Sequence, residues 1–445
     1  MERPKAVLFM TGFGVLGRNS NYITHVVERG MAVLLITPMS FRPEVANAYQ
    51  HGEHVVHHIR DIAFVRGMLS SPESFTADVI AVVKAWESKY IFAGVCAIGE
   101  VLVEQAGLVA DRYGLKGPGL RASRVCRSKY LQRWYLPQFA PRYQVIPPAA
   151  RADAPLDELD YPVIVKPASR HSSSGVTEVV SAQACRERVR SYPEHETLLV
   201  EERVKGAEFS VEALVQDGSV VFISATSKRT TEDSIGGFTE VSHCLPYRGD
   251  HESVLVEATC DLLTRLDFRD GIAHAEWRIR EPDGKAILME VAARTPGDAL
   301  MSLYGLVTGA SIEEAVLQIC LGEPAVYPAP RRVARQVYVE HPAGAVLRDV
   351  VHNGQERPVW VAERGGQWPA LDVSSDAEAD GRLKAILVLV ARGTTLPPIV
   401  SSDDRAVTFI IDGPDEKALD ALEANVSLAL HLVCDQAPGP RTEAT

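Results

Sequence analysis

The sequence predicts an α/β protein that passes into α+β in its central region, with divisions near residues 115 and 325. Three observations predict it. Over the first 115 residues short apolar runs alternate with helix-like stretches, the pattern of a parallel sheet covered on both faces. From there to about residue 325 strand-like runs follow one another closely. The whole chain is 445 residues long, 46% hydrophobic and 23% charged, which suits about three domains of roughly 150 residues and argues against a disordered chain. No stretch approaches the ~18 apolar residues of a membrane span.

Taken in order, KAVLFM (5–10) reads as the first strand, followed by a Gly turn and a helix through Ile23–Arg29. MAVLLITP (31–38), HVVHHI (54–59) and YIFAGVCAI (90–98) read as three more strands, with helical stretches at Phe75–Trp86 and Val101–Ala110. These make an N-terminal parallel α/β domain over 1–115. A second domain over 116–325 contains YPVIVKP (161–167), TLLVEE (197–202), EFSVEALVQDGSVVFISATS (208–227) and GKAILMEVAAR (284–294). After a Pro-rich joint, EPAVYPAPRR (323–332), a C-terminal lobe over 326–445 carries strands near RQVYVEHPA (335–343) and AVTFIIDG (406–413). A helix is expected over 414–433, its acidic first turns suiting an N-terminus, and APGPRTEAT reads as a frayed tail.

Lys and Arg number 46 against 58 Asp and Glu, a net charge of −12. That balance speaks against a nucleic-acid or membrane-surface protein but leaves room for one local basic cleft. The seven cysteines (Cys96, Cys126, Cys185, Cys244, Cys260, Cys320, Cys434) are scattered and never in a C-x-x-C pair. They fit neither a zinc site nor a disulfide framework and predict reduced core thiols in a cytoplasmic protein. The apolar run Ala6 to Met10 is too short for a secretory signal.

Gly12 to Gly17 matches G-x-G-x-x-G directly after a strand. A dinucleotide site also wants an acid at the end of the second strand, which here ends Thr37-Pro38. The turn therefore reads as a tight strand-to-helix connection beside a cleft. More informative is YPVIVKPASRHSSSGVTEVV (161–180). It places Lys166 at a strand end before a loop of small residues, Ser172-Ser173-Ser174-Gly175, whose backbone N–H groups and hydroxyls can approach phosphate oxygens. Glu201 and Glu202 follow where the chain leaves the next strand, and Glu208 opens the one after it. Such a joint can offer backbone groups to an adenine edge and a carboxylate to a ribose. Glu276 and Glu290 lie on runs joined by the turn Glu281-Pro282-Asp283-Gly284, so they can face one another as hard-cation ligands, with Arg294 shortly beyond. His274 should share the face of Glu276, and Trp277 should point the other way into a core. His51, His54, His57 and His58 span a presumed strand and would point to different faces, so no metal site is expected there.

The ordered set resembles the ATP-grasp superfamily of carboxylate–amine ligases. The signature runs from GLKGPGLRASRVCRSKYLQRWYL (114–136) to MEVAARTPGD (289–298). The resemblance implies phosphate contacts for Lys129 and Lys166, and a mobile phosphate loop at Ser172, Ser173, Ser174 and Gly175. It implies an adenine hinge at Glu201, Arg203 and Val204, the latter two through backbone, and a ribose carboxylate at Glu208. Lys228 becomes a further nucleotide contact. Glu276 and Glu290 become ligands of Mg2+, with Mn2+ as a substitute. Arg294 would hold the acyl phosphate and tetrahedral intermediate, with His243 near the substrate; His274, sharing the face of Glu276, is expected to approach the substrate too. The family ending E-x-N-x-R departs here to Glu290-Val291-Ala292-Ala293-Arg294, so Ala292 cannot supply the usual third ligand. The nearest likeness is to L-amino-acid ligases, which implies ATP, a small-molecule carboxylate and an amine as partners, and a homodimer. An ATP-dependent carboxylase or formate-activating ligase shares every nucleotide residue. A NAD-binding oxidoreductase, or a nucleotide-binding protein without activity, are the remaining readings.

Overall fold

The computed structural model describes residues 3–435 apart from 69, 70, 171, 235, 282 and 375. The presumed tail APGPRTEAT, and Pro282 of the expected turn, lie outside the described residues.

Strands β1 (Lys5–Met10), β2 (Ala32–Pro38), β3 (Ile59–Val65) and β4 (Ile91–Ala97) form a parallel sheet in the order β3-β2-β1-β4. The apolar runs of β1 and β2 are buried almost end to end, as in a sheet covered on both faces. The strand order reverses at β1, so a crevice opens beyond the carboxyl ends of β1 and β4. A strand over 54–59 does not form. His54 Nδ1 accepts the Val56 N–H at 3.0 Å and caps a 3-10 turn, Val55–His58, so pairing starts only at Ile59.

A second sheet holds β5 (Tyr143–Ile146), β6 (Val163–Pro167), β7 (Thr177–Val179) and β8 (Leu198–Glu202), in the order β5-β8-β6-β7. The run 208–227 is a hairpin of β9 (Glu208–Gln216) and β10 (Ser219–Thr230). Its turn residues Asp217 and Gly218 are both left-handed, at φ 51° and 76°, as a tight hairpin requires. With β11 (Glu240–Leu245), β12 (Gly271–Arg280) and β13 (Lys285–Ala292) the hairpin builds one half of a larger sheet.

The C-terminal segment adds β14 (Val333–Tyr338), β15 (Val346–His352), β16 (Val359–Trp360), β17 (Arg382–Val388), β18 (Val407–Gly413) and β19 (Leu430–Asp435). Strands β14, β18, β17 and β16 extend the edge at β11, giving nine strands that run unbroken across the Pro-rich joint. The helix expected over 414–433 spans Glu416–Ala429, capped by Asp415. It stops early because Leu430–Asp435 pairs with β15, a tertiary partner overriding helix propensity. One core cluster joins Phe9 and Tyr22 of the first region to Tyr304 and Leu317 on the helices after β13 and to Ile410 of β18. The three regions therefore close around common ground.

Candidate active site

A cavity of about 610 Å³ lies where the first sheet, the second sheet and the nine-stranded sheet meet. Lys166 comes from the end of β6, where register sets it opposite Leu199 of β8. Its Nζ lies 2.7 Å from Glu201, whose other oxygen is 2.6 Å from Arg133 Nε. Burial pushes the Glu201 carboxyl up, but Arg133 and Lys166 more than offset it and hold it down to about 2. Lys129 opens the helix Lys129–Tyr135, donates to the Arg170 carbonyl at 2.7 Å and lies 2.8 Å from Glu290.

Ser172, Ser173 and Ser174 line the cavity, Ser172 and Ser173 in the left-handed region at φ 58° and 55°. The Ser402 N–H donates to the Ser172 carbonyl at 3.1 Å and Ser173 Oγ to the Phe238 carbonyl at 3.1 Å, so the loop bridges to β11's approach and the C-terminal segment. Gly175 does not line the cavity. It packs against Pro167 and Tyr192, and the Tyr192 hydroxyl donates to its carbonyl.

At the hinge after β8, Arg203 and Val204 reach the cavity wall. The Arg203 side chain turns aside: it pairs with Glu178 at 2.8 Å and with Glu232 and lies over the Phe238 ring. Glu208 faces Arg278 at 2.7 Å and Lys228 at 3.8 Å. Burial raises its carboxyl despite both cations, with Glu276 and Glu240 adding to the rise.

Register puts Glu276 of β12 opposite Glu290 of β13. Glu276 is 2.5 Å from Lys228 and 3.3 Å from His274 Nε2. Desolvation alone would depress the Lys228 ammonium, but Glu276, Glu240 and Glu208 together raise it. Behind them His274 Nδ1 lies 2.7 Å from Glu212, a fully buried carboxylate that also accepts from Ser210, Thr226 and Tyr304 hydroxyls at 2.8, 3.0 and 2.7 Å. His274 thus faces two acids and orients Glu276. Trp277 points the opposite way, fully buried, its indole N–H donating to Thr259. The donor chemistry of this wall fits Mg2+, which takes one or two carboxylates together with phosphate oxygens. Ala292 is on the same wall and contributes none. Among the described residues no group of three or more His, Cys, Asp or Glu could hold a metal by itself, the histidines near residue 54 included.

Several residues of the site carried no sequence signal. Arg294 Nε lies 2.8 Å from Glu100, which also meets Arg127 at 2.9 Å. Glu100 follows β4 at the crevice, a position that topology marks but local sequence does not. His243 Nε2 lies 2.7 Å from Asp298, and its buried Nδ1 has no partner among the described residues. Asp298 further accepts from Tyr338 at 2.7 Å and Arg405 at 2.6 Å. The Gly12 turn opens a helix of six residues, Phe13–Arg18, and Gly12, Gly14 and Arg18 lie on this same cavity.

A lysine-lined cleft between two sheets, bordered by a small-residue loop and by paired carboxylates, is laid out as in the ATP-grasp fold. Residues 159–302 match the family model described as "ATP-grasp domain", and the chain carries that domain and adopts that fold. Among curated proteins it is 28% identical over 223 residues to a D-alanine--D-alanine ligase of Paracidovorax citrulli, covering 46% of this chain and 65% of the ligase. The chain thus spans just under two thirds of that relative's length. Among solved structures, an L-amino acid ligase from Bacillus licheniformis superposes with a TM-score of 0.72 at 18% identity, covering 98% of this chain and all of the other. A phosphoribosylglycinamide synthetase from Anaerococcus prevotii superposes at 0.63 and 14% identity, again over 98% and 100%.

Among the described residues no single helix is long and apolar enough to cross a membrane.

Proposed function

We propose that the chain is an ATP-dependent ligase that joins a carboxylate to an amine, one of them an amino acid, with release of ADP and phosphate. One observation carries the reading. Lys129, Lys166, Lys228 and Arg294, from four separate segments, converge on one cavity that also holds the facing pair Glu276 and Glu290. Cations in that number suit a polyphosphate, and an arginine beside the two acids suits the oxyanion of acyl transfer.

In this reading a substrate carboxylate attacks the γ-phosphorus and ADP departs, leaving an acyl phosphate. The amine then attacks the acyl carbon, phosphate leaves and the amine releases a proton. Lys129 and Lys166 offset charge on the phosphates, the Arg203 and Val204 backbone meets the adenine edge, and Glu208 takes the ribose. Glu201 acts on Lys166, which it holds in place, rather than on the base. Ser172 to Ser174 exclude water above the phosphates, with Gly175 setting the bend beneath them. Glu276 and Glu290 would hold Mg2+, which supplies charge neutralisation and orientation of the phosphates. Glu100 aims Arg294, and Asp298 positions His243 on the cavity wall near the substrate.

The test is phosphate release from ATP with pooled amino acids. Release that needs both an acid and an amine supports the ligase. Release that needs bicarbonate instead would transfer the assignment to the ATP-dependent carboxylases.

A further inference from the structure

Counter-ions account for nearly every cation on the cavity wall. Lys129, Lys166, Lys228, Arg294 and Arg405 each stand 2.5–2.8 Å from a carboxylate oxygen. Arg18 does not. Among the described residues none places a carboxylate oxygen within 4.0 Å of it, and its side chain's one hydrogen bond runs to the Asp298 backbone carbonyl at 3.4 Å. Its Nε is buried without a partner, and its guanidinium lies 5.4 Å from the centre of the Trp368 ring.

Arg18 has the Trp368 ring on one side and Asp298, which is already paired with Arg405 and His243, on another. Phe41, Val361, Trp368 and Leu389 also line the cavity and pack in or against one core cluster, far in sequence from the lysines. The glycines of the first turn permit this packing. A Cβ on Gly12 would stand 2.8 Å from the Phe41 ring, and one on Gly17 3.0 Å from the Gly366 carbonyl. The Trp368 N–H donates to the Gly17 carbonyl at 3.2 Å. The G-x-G-x-x-G pattern therefore serves close packing of Phe41 and the 361–368 segment beside a guanidinium with no direct ion pair among the described residues.

An amine substrate that is an amino acid keeps its own carboxylate through the reaction, and that anion needs a cation besides those proposed for the nucleotide and the reacting carboxylate. The acid substrate has no such need, because its carboxylate is consumed beside Arg294. We propose that Arg18 binds the carboxylate of the amine substrate and that this substrate is an α-amino acid with a bulky apolar side chain, seated against Phe41, Trp368 and Leu389. This rests on the ligase reading above. A planar guanidinium presents two parallel donors to a carboxylate, a geometry lysine lacks.

The experiment is phosphate release by the full chain, with individual amino acids as amine and, in parallel, their C-terminal amides. The best amines should be large and apolar, such as phenylalanine, leucine or methionine, and their amides should be poor. Arg18→Gln should raise KM for the amino acid roughly 10- to 100-fold, the equivalent of one charge-assisted hydrogen bond, with KM for ATP changed less than about twofold. Arg18→Lys should recover part of the loss. On the amides, wild type and Arg18→Gln should behave alike. The amide comparison uses the wild-type chain, so it decides the matter even if Arg18→Gln folds poorly. Preference for small or charged amines, equal use of acid and amide, or an unchanged KM in Arg18→Gln would overturn the proposal and leave the ligase intact. Absence of any amino-acid-dependent phosphate release from a chain that still binds ATP would overturn the ligase reading, and this proposal with it.

Discussion

The carboxylate of Glu201 lies inside the protein between Arg133 at 2.6 Å and Lys166 at 2.7 Å. Its pKa is depressed to about 2 from 4.5, so it binds fewer protons folded than unfolded between those values. The stability it contributes is therefore fully present above pH 4.5 and is lost as pH falls through 2. Glu201→Gln should cost roughly 3 kcal/mol at pH 7, with the gap to wild type narrowing below pH 4.5 in urea melts. A gap that stays constant with pH would refute the ionised pairing. Glu290→Ala separates chemistry from stability at the same scale. It should abolish turnover while leaving the melting temperature within a few degrees, because Glu290 is only partly buried and, among the described residues, Lys129 is its one direct ion partner. Near-normal activity would exclude it as a metal ligand.

Strand β12 shows how one element serves two surfaces. His274, Glu276 and Arg278 alternate onto the cavity, and Ala275, Trp277 and Ile279 onto the core beneath. Trp277 is fully buried, packs edge-on to Phe139 and donates to Thr259 at 3.1 Å. Trp277→Ala should cost about 3–5 kcal/mol by leaving a cavity, and should lower activity by loosening Glu276. Trp277→Phe, which keeps a ring but loses the indole donor, should cost less. Equilibrium unfolding of both variants checks the order, and equal losses would mean that volume is not what the core requires there.

Across the whole molecule the cavity is built from segments that come together only in the folded chain. A ligand that binds this form and not the unfolded one stabilises it by about 2.7 kcal/mol at a hundred times its Kd. A non-hydrolysable ATP analogue with Mg2+ should therefore raise the melting temperature by several degrees. Lys166→Ala should remove most of that shift, because Lys166 is one of the cations proposed to meet the phosphates. An unchanged shift in the variant would count against that role.

Much was legible in the sequence because it is local. Apolar runs marked β1, β2 and β4. Strand-end placement marked Lys166, and a shared hairpin marked Glu276 and Glu290, since side-chain alternation needs only nearby residues. The 3-10 turn at Val55–His58 and the strand Leu430–Asp435 were not legible. The first depends on one side-chain-to-backbone bond, and the second on a partner strand some eighty residues away. The partnerships of Arg294 with Glu100, of His243 with Asp298, and of Glu201 with Arg133 join segments distant in the chain. The same is true of the contact of Arg18 with Asp298 and Trp368. The sequence by itself determined which chemical groups are present and in what order. Only the tertiary structure decided which charges pair with one another and which has no direct ion partner, because ion pairing depends on distance in space.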